Sequence, residues 1–335
     1  MVWISMIKKE IISVIIFILI IINFTGCTEE KEEENNTYST LYVDSNGGAN
    51  YIKIQDAIND IEVGGTIYVR NGFYNEILKI DKTIDLIGDI ENSAKISYTF
   101  NEGVDNVNGV VTISADNCTF TGFDIYFGSF VSNIKGIYIT SSNNTINSCN
   151  ITNVYQGIFL DYTAKNNDIL NCTISNTKRG IYVNRSDFNF ISNNIVTQTG
   201  LYSIFLYGSN ENILSENMVV DNDFGIYAQG SDNNLFYNNT LKNNSGGLKF
   251  CCGSTNNVVY NNNFIENYLY NARDDVNNQW DNGILGNYWD DYQGKYPNAK
   301  QIEKIWDTPY AICDEDDNCE DVFDRYPLVS EISQQ

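Results

Sequence analysis

The chain has 335 residues, 43 Asp and Glu against 20 Lys and Arg, a formal net charge of -23 and no histidine. So acidic a chain lacks the basic footprint that displaces counterions from nucleic acid, which excludes DNA and RNA as natural partners. Without imidazole there is no Ser-His-Asp triad, Cys-His dyad or His-ligated zinc or copper site, and any chemistry falls to carboxylates, Lys, Arg, Tyr or Cys.

In chain order, residues 1–26 read as an export signal: Lys8 and Lys9 precede an apolar run over 11–22 that is too short for a membrane span. The run ends in Phe24-Thr25-Gly26-Cys27, which resembles the lipobox of lipoproteins and makes Cys27 the expected lipidation site. An uncleaved N-terminal anchor is the alternative. Residues 27–39 form an acidic tether that charge repulsion keeps extended. Both readings put the body outside the cytoplasm, attached to the outer face of the cytoplasmic membrane.

Residues 40–273 carry the fold. Ile54, Ala57, Ile58 and Ile61 at helical spacing predict a cap helix over 51–61, and strands follow at 66–69 and 83–87. Gly136, Gly157, Gly180, Ser203, Gly225 and Gly247 then head copies of one pattern, and Asn144, Asn167, Asn189, Asn212, Asn234 and Asn257 keep the same step of about 22 residues. After each Gly, Ile137, Ile158, Ile181, Ile204, Ile226 and Leu248 form one aliphatic column, and Ile139, Leu160, Val183, Leu206, Ala228 and Phe250 form a second apolar one. Alternation along a strand turns both columns inward. A second strand in each coil ends near Ile151, Ile174, Ile195, Met218, Leu241 and Phe264.

Twenty-two residues are too few for a four-stranded propeller blade, and the copies lack the 3.6 period of a helix. An all-β parallel β-helix remains, with roughly eight or nine coils over 83–273 at about 4.8 Å each. The Asn column is structural, because Asn tolerates left-handed turns and stacked amides bond from coil to coil. Residues 274–335, dense in Trp, Tyr and Asp and holding all three prolines, form an irregular C-terminal cap.

Leu41-Tyr42-Val43-Asp44 through Ile54-Gln55-Asp56-Ala57 to Thr83-Ile84-Asp85-Leu86-Ile87-Gly88 resembles the opening of pectin-lyase-like β-helix proteins. Copies such as Asn143-Asn144-Thr145-Ile146-Asn147-Ser148-Cys149-Asn150-Ile151 are similar to the parallel β-helix repeats also called carbohydrate-binding and sugar-hydrolysis repeats. Gln279-Trp280-Asp281-Asn282, Gly286-Asn287-Tyr288-Trp289-Asp290-Asp291-Tyr292, Asp307-Thr308-Pro309-Tyr310 and Asp324-Arg325-Tyr326-Pro327-Leu328 resemble the C-terminal signature of NosD-like proteins. The resemblance implies a right-handed helix and, for NosD proper, a periplasmic accessory role in assembling the copper site of nitrous-oxide reductase. The chain departs from that pattern where Lys295, Lys300 and Lys304 occupy a loop that is usually rich in Asp, Asn and Gly.

Between the two inward columns lies a position that must face out, and it holds Tyr138, Phe159, Tyr182, Phe205 and Tyr227, then Lys249. This stripe is the expected ligand surface, with Asp161, Asn184, Arg185, Tyr207 and Gln229 along one edge to bond hydroxyls or a uronate. Asp161, Lys178, Arg179, Arg185 and Asp187, with Asn184, are the nearest catalytic candidates, since a lyase pairs Ca²⁺ with a basic side chain. The paired carboxylates of a hydrolase are not evident. No cofactor is required; Ca²⁺ is the cation suited to Asp281 with Asp290 and Asp291, or to Asp314, Asp316 and Asp317, and copper is not expected. Cys149 and Cys172 sit one coil apart as inert core thiols, and Cys313 with Cys319 would close a short disulfide loop. The reading is a surface-tethered, non-catalytic β-helix that binds glycan or another extended cell-envelope polymer. A polysaccharide lyase or hydrolase and a NosD-type maturation accessory are the alternatives.

Overall fold

A computed structural model describes residues 39–89, 94–98, 108–127, 133–314, 316, 318–319 and 321–333. The export signal, Cys27, nearly all of the tether and Asp317 lie outside these described residues.

The body is a parallel β-helix in which most coils contribute three short strands, while Thr173–Asn184 and Ile195–Tyr207 each run unbroken through two faces. One face is a ten-stranded parallel sheet from Thr40–Val43 to Val258–Tyr260, in which Ile146, Ile169, Ile191, Leu214, Phe236 and Val259 stack in register. On a second face Ile151, Ile174, Val196, Val219, Leu241 and Phe264 pair, and on the third Ile137, Ile158, Ile181, Ile204, Ile226 and Leu248. All these side chains are at most 2 % exposed, so three apolar columns fill the interior.

Two expectations shift. The first coils begin at Thr40–Val43 and Thr66–Val69, well before residue 83, because short strands at Gly72–Asn75 and Leu78–Ile80 complete coils that lack the Gly-headed pattern. In the second strand the inward residues are Val196 and Val219, and the neighbouring Ile195 and Met218 face outward at 43 % and 38 % exposure. A slip of one residue along a strand moves a side chain to the other face.

The glycine column has a steric cause. A Cβ on Gly157 would lie 2.6 Å from the Gly180 carbonyl oxygen and 2.6 Å from Ile174 Cγ2, and on Gly136 2.8 Å from the Gly157 oxygen. Ser203 breaks the column by donating its hydroxyl to the Phe224 carbonyl at 2.8 Å.

Three buried amide ladders run along the helix, where the sequence suggests one. In the first, Asn167 Oδ1 accepts both the backbone N–H and the Nδ2 of Asn144, at 2.9 and 3.0 Å, and this repeats through Asn189, Asn212, Asn234, Asn257 and Asn278. A second runs Asn194, Asn217, Asn239, Asn262, Asn287, and a third Asn222, Asn244, Asn267. The left-handed conformation belongs to the residue before every ladder Asn but Asn287, such as Asn143 (φ 60), Asn166 (φ 54) and Asn233 (φ 58). The ladder amides are therefore free of the turn role and serve as acceptors. Cys118, Cys149 and Cys172 occupy the same columns ahead of the first asparagines; all three are buried, as expected of Cys149 and Cys172.

Helix α1 (Ile54–Asp60) closes the front, burying Ile54, Ala57 and Ile58. Its N-terminus is capped from outside, by Glu76 oxygens accepting the N–H groups of Ile54 and Gln55 at 2.9 and 3.0 Å. At the rear the stack does not stop at Arg273: Asn278 and Asn287 extend two ladders, and Trp289 lies flat on Phe264 at 4.4 Å and 7°. Trp289 in turn stacks on Tyr310 at 4.1 Å, so aromatic rings terminate the core where further strands would expose an edge. The Cys313–Cys319 disulfide is present.

Candidate functional site

The strand that contains each glycine carries three columns beside the inward ones. The middle one is Tyr138, Phe159, Tyr182, Phe205, Tyr227, Lys249 and Arg273, all paired in register. One flank is Lys135, Gln156, Arg179, Tyr202 and Phe224; the other holds Asn184, Tyr207, Gln229 and Cys251. Asp161 joins that second flank, accepting Asn184 Nδ2 at 3.1 Å and the Tyr138 hydroxyl at 2.5 Å.

The rings touch throughout. Tyr138–Phe159 centroids are 5.6 Å apart, Phe159–Tyr182 4.9 Å edge to face, Tyr182–Phe205 4.9 Å stacked and Phe205–Tyr227 5.5 Å. The expected open stripe is accordingly only part open: Phe159 is 9 % and Phe205 6 % exposed, while Tyr138, Tyr182 and Tyr227 keep accessible edges. Rung spacing is the reason, because rings about 4.8 Å apart lie within contact distance and cover one another. Tyr202 completes the cover, parallel to Tyr227 at 4.7 Å and 4.9 Å from Phe205.

Cations line the ladder. Lys135 Nζ lies 5.1 and 5.4 Å from the Tyr138 and Phe159 centroids, Arg179 5.5 Å from Tyr182, Arg185 5.7 Å from Tyr207 and Lys249 5.7 Å from Tyr227. Each is within cation–π range. Desolvation lowers the Lys135 pKa, with Asp161 opposing it. Burial, then the bond to Asp161, pushes the Tyr138 phenol up to about 12. Among the described residues, three buried side-chain atoms have no hydrogen-bond partner, Gln156 Oε1, Thr177 Oγ1 and Arg179 Nε, and Gln156 and Arg179 belong to the ladder's first flank. Lys135, Gln156 and Tyr202 escaped the sequence reading; their signal was the position just before the glycine column, where no single residue type recurs.

The catalytic candidates do not assemble. Asp161 is held by Tyr138, Asn184 and the Tyr162 N–H. Asp187 pairs with Lys165 at 2.8 Å and accepts the Asn210 N–H, Lys178 donates to the Gly200 carbonyl at 2.6 Å, and Arg179 and Arg185 lie over rings. The carboxylates of Asp161 and Asp187 are each committed to different partners, while Asp161, Arg179 and Arg185 all lie near Tyr182.

The aspartates suggested for Ca²⁺ are likewise spent on separate contacts. Asp281 binds Arg325, Asp290 accepts the Glu266 N–H and Asn271 Nδ2, and Asp291 pairs with Lys295 at 3.0 Å. Asp314 accepts the N–H groups of Asp316 and Asn318. Among the described residues, no three of His, Cys, Asp and Glu lie together as a metal set.

A family model described as "Periplasmic copper-binding protein (NosD)" matches residues 18–294. Among solved structures, the chain is similar to pectate lyase Pel9A at 14% identity, over 74% of this chain and 82% of that one, with a TM-score of 0.49. It is similar to the catalytic domain of a GH87 α-1,3-glucanase in complex with nigerose at 16% identity and a TM-score of 0.53, over 71% of this chain. The match spans about half of that domain, 47%. The mannuronan C-5 epimerase AlgE6 A-module of Azotobacter vinelandii matches at 14% identity over 73% of this chain and 76% of that one, with a TM-score of 0.45. Likeness at these identities concerns the fold alone. A search of curated protein sequences finds no match. The family description names copper; with no imidazole in the chain, the described residues do not fit a histidine-ligated copper centre, and among their free thiols Cys118, Cys149, Cys172 and Cys251 are buried while Cys252 is exposed.

Proposed function

The chain belongs to the NosD family, and on that premise we propose that it works outside the cytoplasm as a β-helix that binds an extended acidic glycan without turning it over. The observation that carries this reading is the ladder of contacting rings with Lys135, Arg179, Lys249 and Arg185 beside it, in a chain whose net charge is -23. A local band of cations on so acidic a body attracts anions to one face. The rung step of about 4.8 Å is close to the length of one pyranose unit, so an extended chain running along the helix meets equivalent groups at each residue. The accessible rings of Tyr138, Tyr182 and Tyr227 suit the apolar faces of sugars, and the cations suit uronate carboxylates. Asp161, bonded to Tyr138 and Asn184, serves as part of the ladder's frame. Export by the N-terminal signal and attachment through Cys27 belong to the same proposal; intact mass of the N-terminal peptide from native membranes tests them.

The test measures binding of the mature protein to a polyuronate and to a neutral glucan by calorimetry at two salt concentrations. Binding to the polyuronate that weakens with salt is expected, and Lys135→Gln with Arg179→Gln should raise Kd about a hundredfold, each lost charged bond contributing about 1.5 kcal/mol. Equal affinity of the double variant, or no affinity of the wild type for either polymer, overturns the reading. New reducing ends in the same mixture would replace binding with turnover.

A further inference from the structure

Cys251 ends the strand Gly246–Cys251 beside the last ring of the ladder, and Cys252 starts the turn that follows. Their Sγ atoms are 2.6 Å apart. That is closer than two unbonded sulfurs normally come, and little more than half an ångström longer than a disulfide bond. We propose that these residues are a vicinal dithiol that closes to a disulfide by exchange with a disulfide from outside the protein.

Backbone geometry supports the assignment. Cys252 has φ 57, in a column whose preceding coils place Gly230 (φ 55) and Gly208 (φ 57) there. Glycine takes this conformation without penalty, whereas a residue with a Cβ is strained in it. The strained residue is the one whose thiol meets its neighbour's. The two thiols also differ in access: Cys252 is exposed and Cys251 is 3 % exposed. Burial pushes the Cys251 thiol up to about 11, which leaves it the second to react. Of the other free thiols of the described residues, Cys149 and Cys172 neighbour one another across a rung, but they and Cys118 are all buried against carbonyl oxygens, out of reach of an external disulfide.

The Cys252 thiolate attacks the incoming disulfide RSSR, forming a Cys252–SR bond and releasing one RS⁻, which takes up a proton. The Cys251 thiol gives its proton to solvent base and its sulfur attacks Cys252 Sγ, breaking the bond to SR and releasing the second thiolate. Two protein thiols are oxidised and one external disulfide is reduced to two thiols. Closure also removes the Cys251 S–H, leaving Tyr227, whose hydroxyl oxygen is 3.0 Å from that sulfur, as the sole donor in their contact. The proposal stands apart from the glycan reading, since it needs no bound polymer.

The experiment reduces the whole folded protein mildly, adds oxidised glutathione, alkylates what remains and digests with trypsin. Cleavage after Lys249 and Arg273 yields a peptide that contains Cys251 and Cys252 and no other cysteine. The expected peptide has lost two hydrogens, carries no adduct and no alkyl group, and regains both alkylation sites after reduction. In Cys251→Ser the glutathione adduct on Cys252 should persist. A lasting adduct in the wild type, two alkylated cysteines after oxidation, or no adduct in Cys251→Ser overturns the proposal.

Discussion

Arg325 closes over Asp281 in a two-pronged ion pair, Nε to Oδ2 at 2.8 Å and Nη2 to Oδ1 at 2.9 Å, across 44 residues of sequence. The carboxylate is wholly buried and the guanidinium is 58 % exposed, so a surface side chain neutralises an interior charge. The pair ties together two blocks of the C-terminal signature, which makes the signature a clamp on the last coils. Arg325→Leu strands that carboxylate with only the Gly283 and Arg325 backbone N–H groups. A loss of about 2 kcal/mol is expected, at the low end for breaking a buried pair because the guanidinium is partly solvated. Urea unfolding of the variant measures it.

Asp324, next in sequence, supplies a pH dependence. Burial pushes its carboxyl from 3.8 up to about 7, against the N–H donors of Asn287, Trp289 and Tyr326. The folded value lies above the unfolded one, so the folded cap holds a proton that the unfolded chain releases between those limits. Its contribution to stability is full below the unfolded value and is lost as pH rises through about 7. The melting temperature should fall across that window, and Asp324→Asn should flatten the slope; an unchanged slope in the variant assigns the dependence elsewhere.

Gly157→Ala drives a methyl to 2.6 Å from both the Gly180 oxygen and Ile174 Cγ2, and should cost about 1–3 kcal/mol. Gly294, whose added Cβ meets nothing within 4 Å, is the control, and its alanine variant should melt as the wild type does. Thermal unfolding followed by circular dichroism separates the two.

Removing one amide from the middle of a ladder should be worse than removing a surface group. Asn212 accepts the N–H and Nδ2 of Asn189 and donates to Ser186, Asn210 and Asn234. Asn212→Ala leaves several of these buried groups unpaired, and a loss of about 3 kcal/mol is expected in denaturant titration.

The period of the repeat and the inward columns could be read from the sequence because they rest on recurrence of one residue class. Where different residues fill one role, recurrence fails. The coils between Thr40 and Ile80 turn without the glycine header, and two further amide ladders hide among the many other asparagines. Their spacing, 23 and 22 residues from Asn194 to Asn239, was present but had no flanking glycine to set its register. At the site, the ring column was visible as Tyr or Phe in five consecutive coils. Its flank was not, since Lys135, Gln156, Arg179 and Tyr202 share a position and nothing else. The mutual cover of Phe159 and Phe205 depends on how rings tilt, which alternation alone does not set.

The three amide ladders start at different heights, the first after Cys118, the second after Cys172 and the third after Thr199, and all run toward the C-terminal cap. In a stack where each coil touches only its neighbours, this makes a graded spring. Coils near the front are held by strand pairing and apolar contact, and those near the rear also by up to three rows of buried amides. A pull on the N-terminal end, the end that the proposed tether would load, peels the soft coils first and leaves the aromatic-capped rear wound.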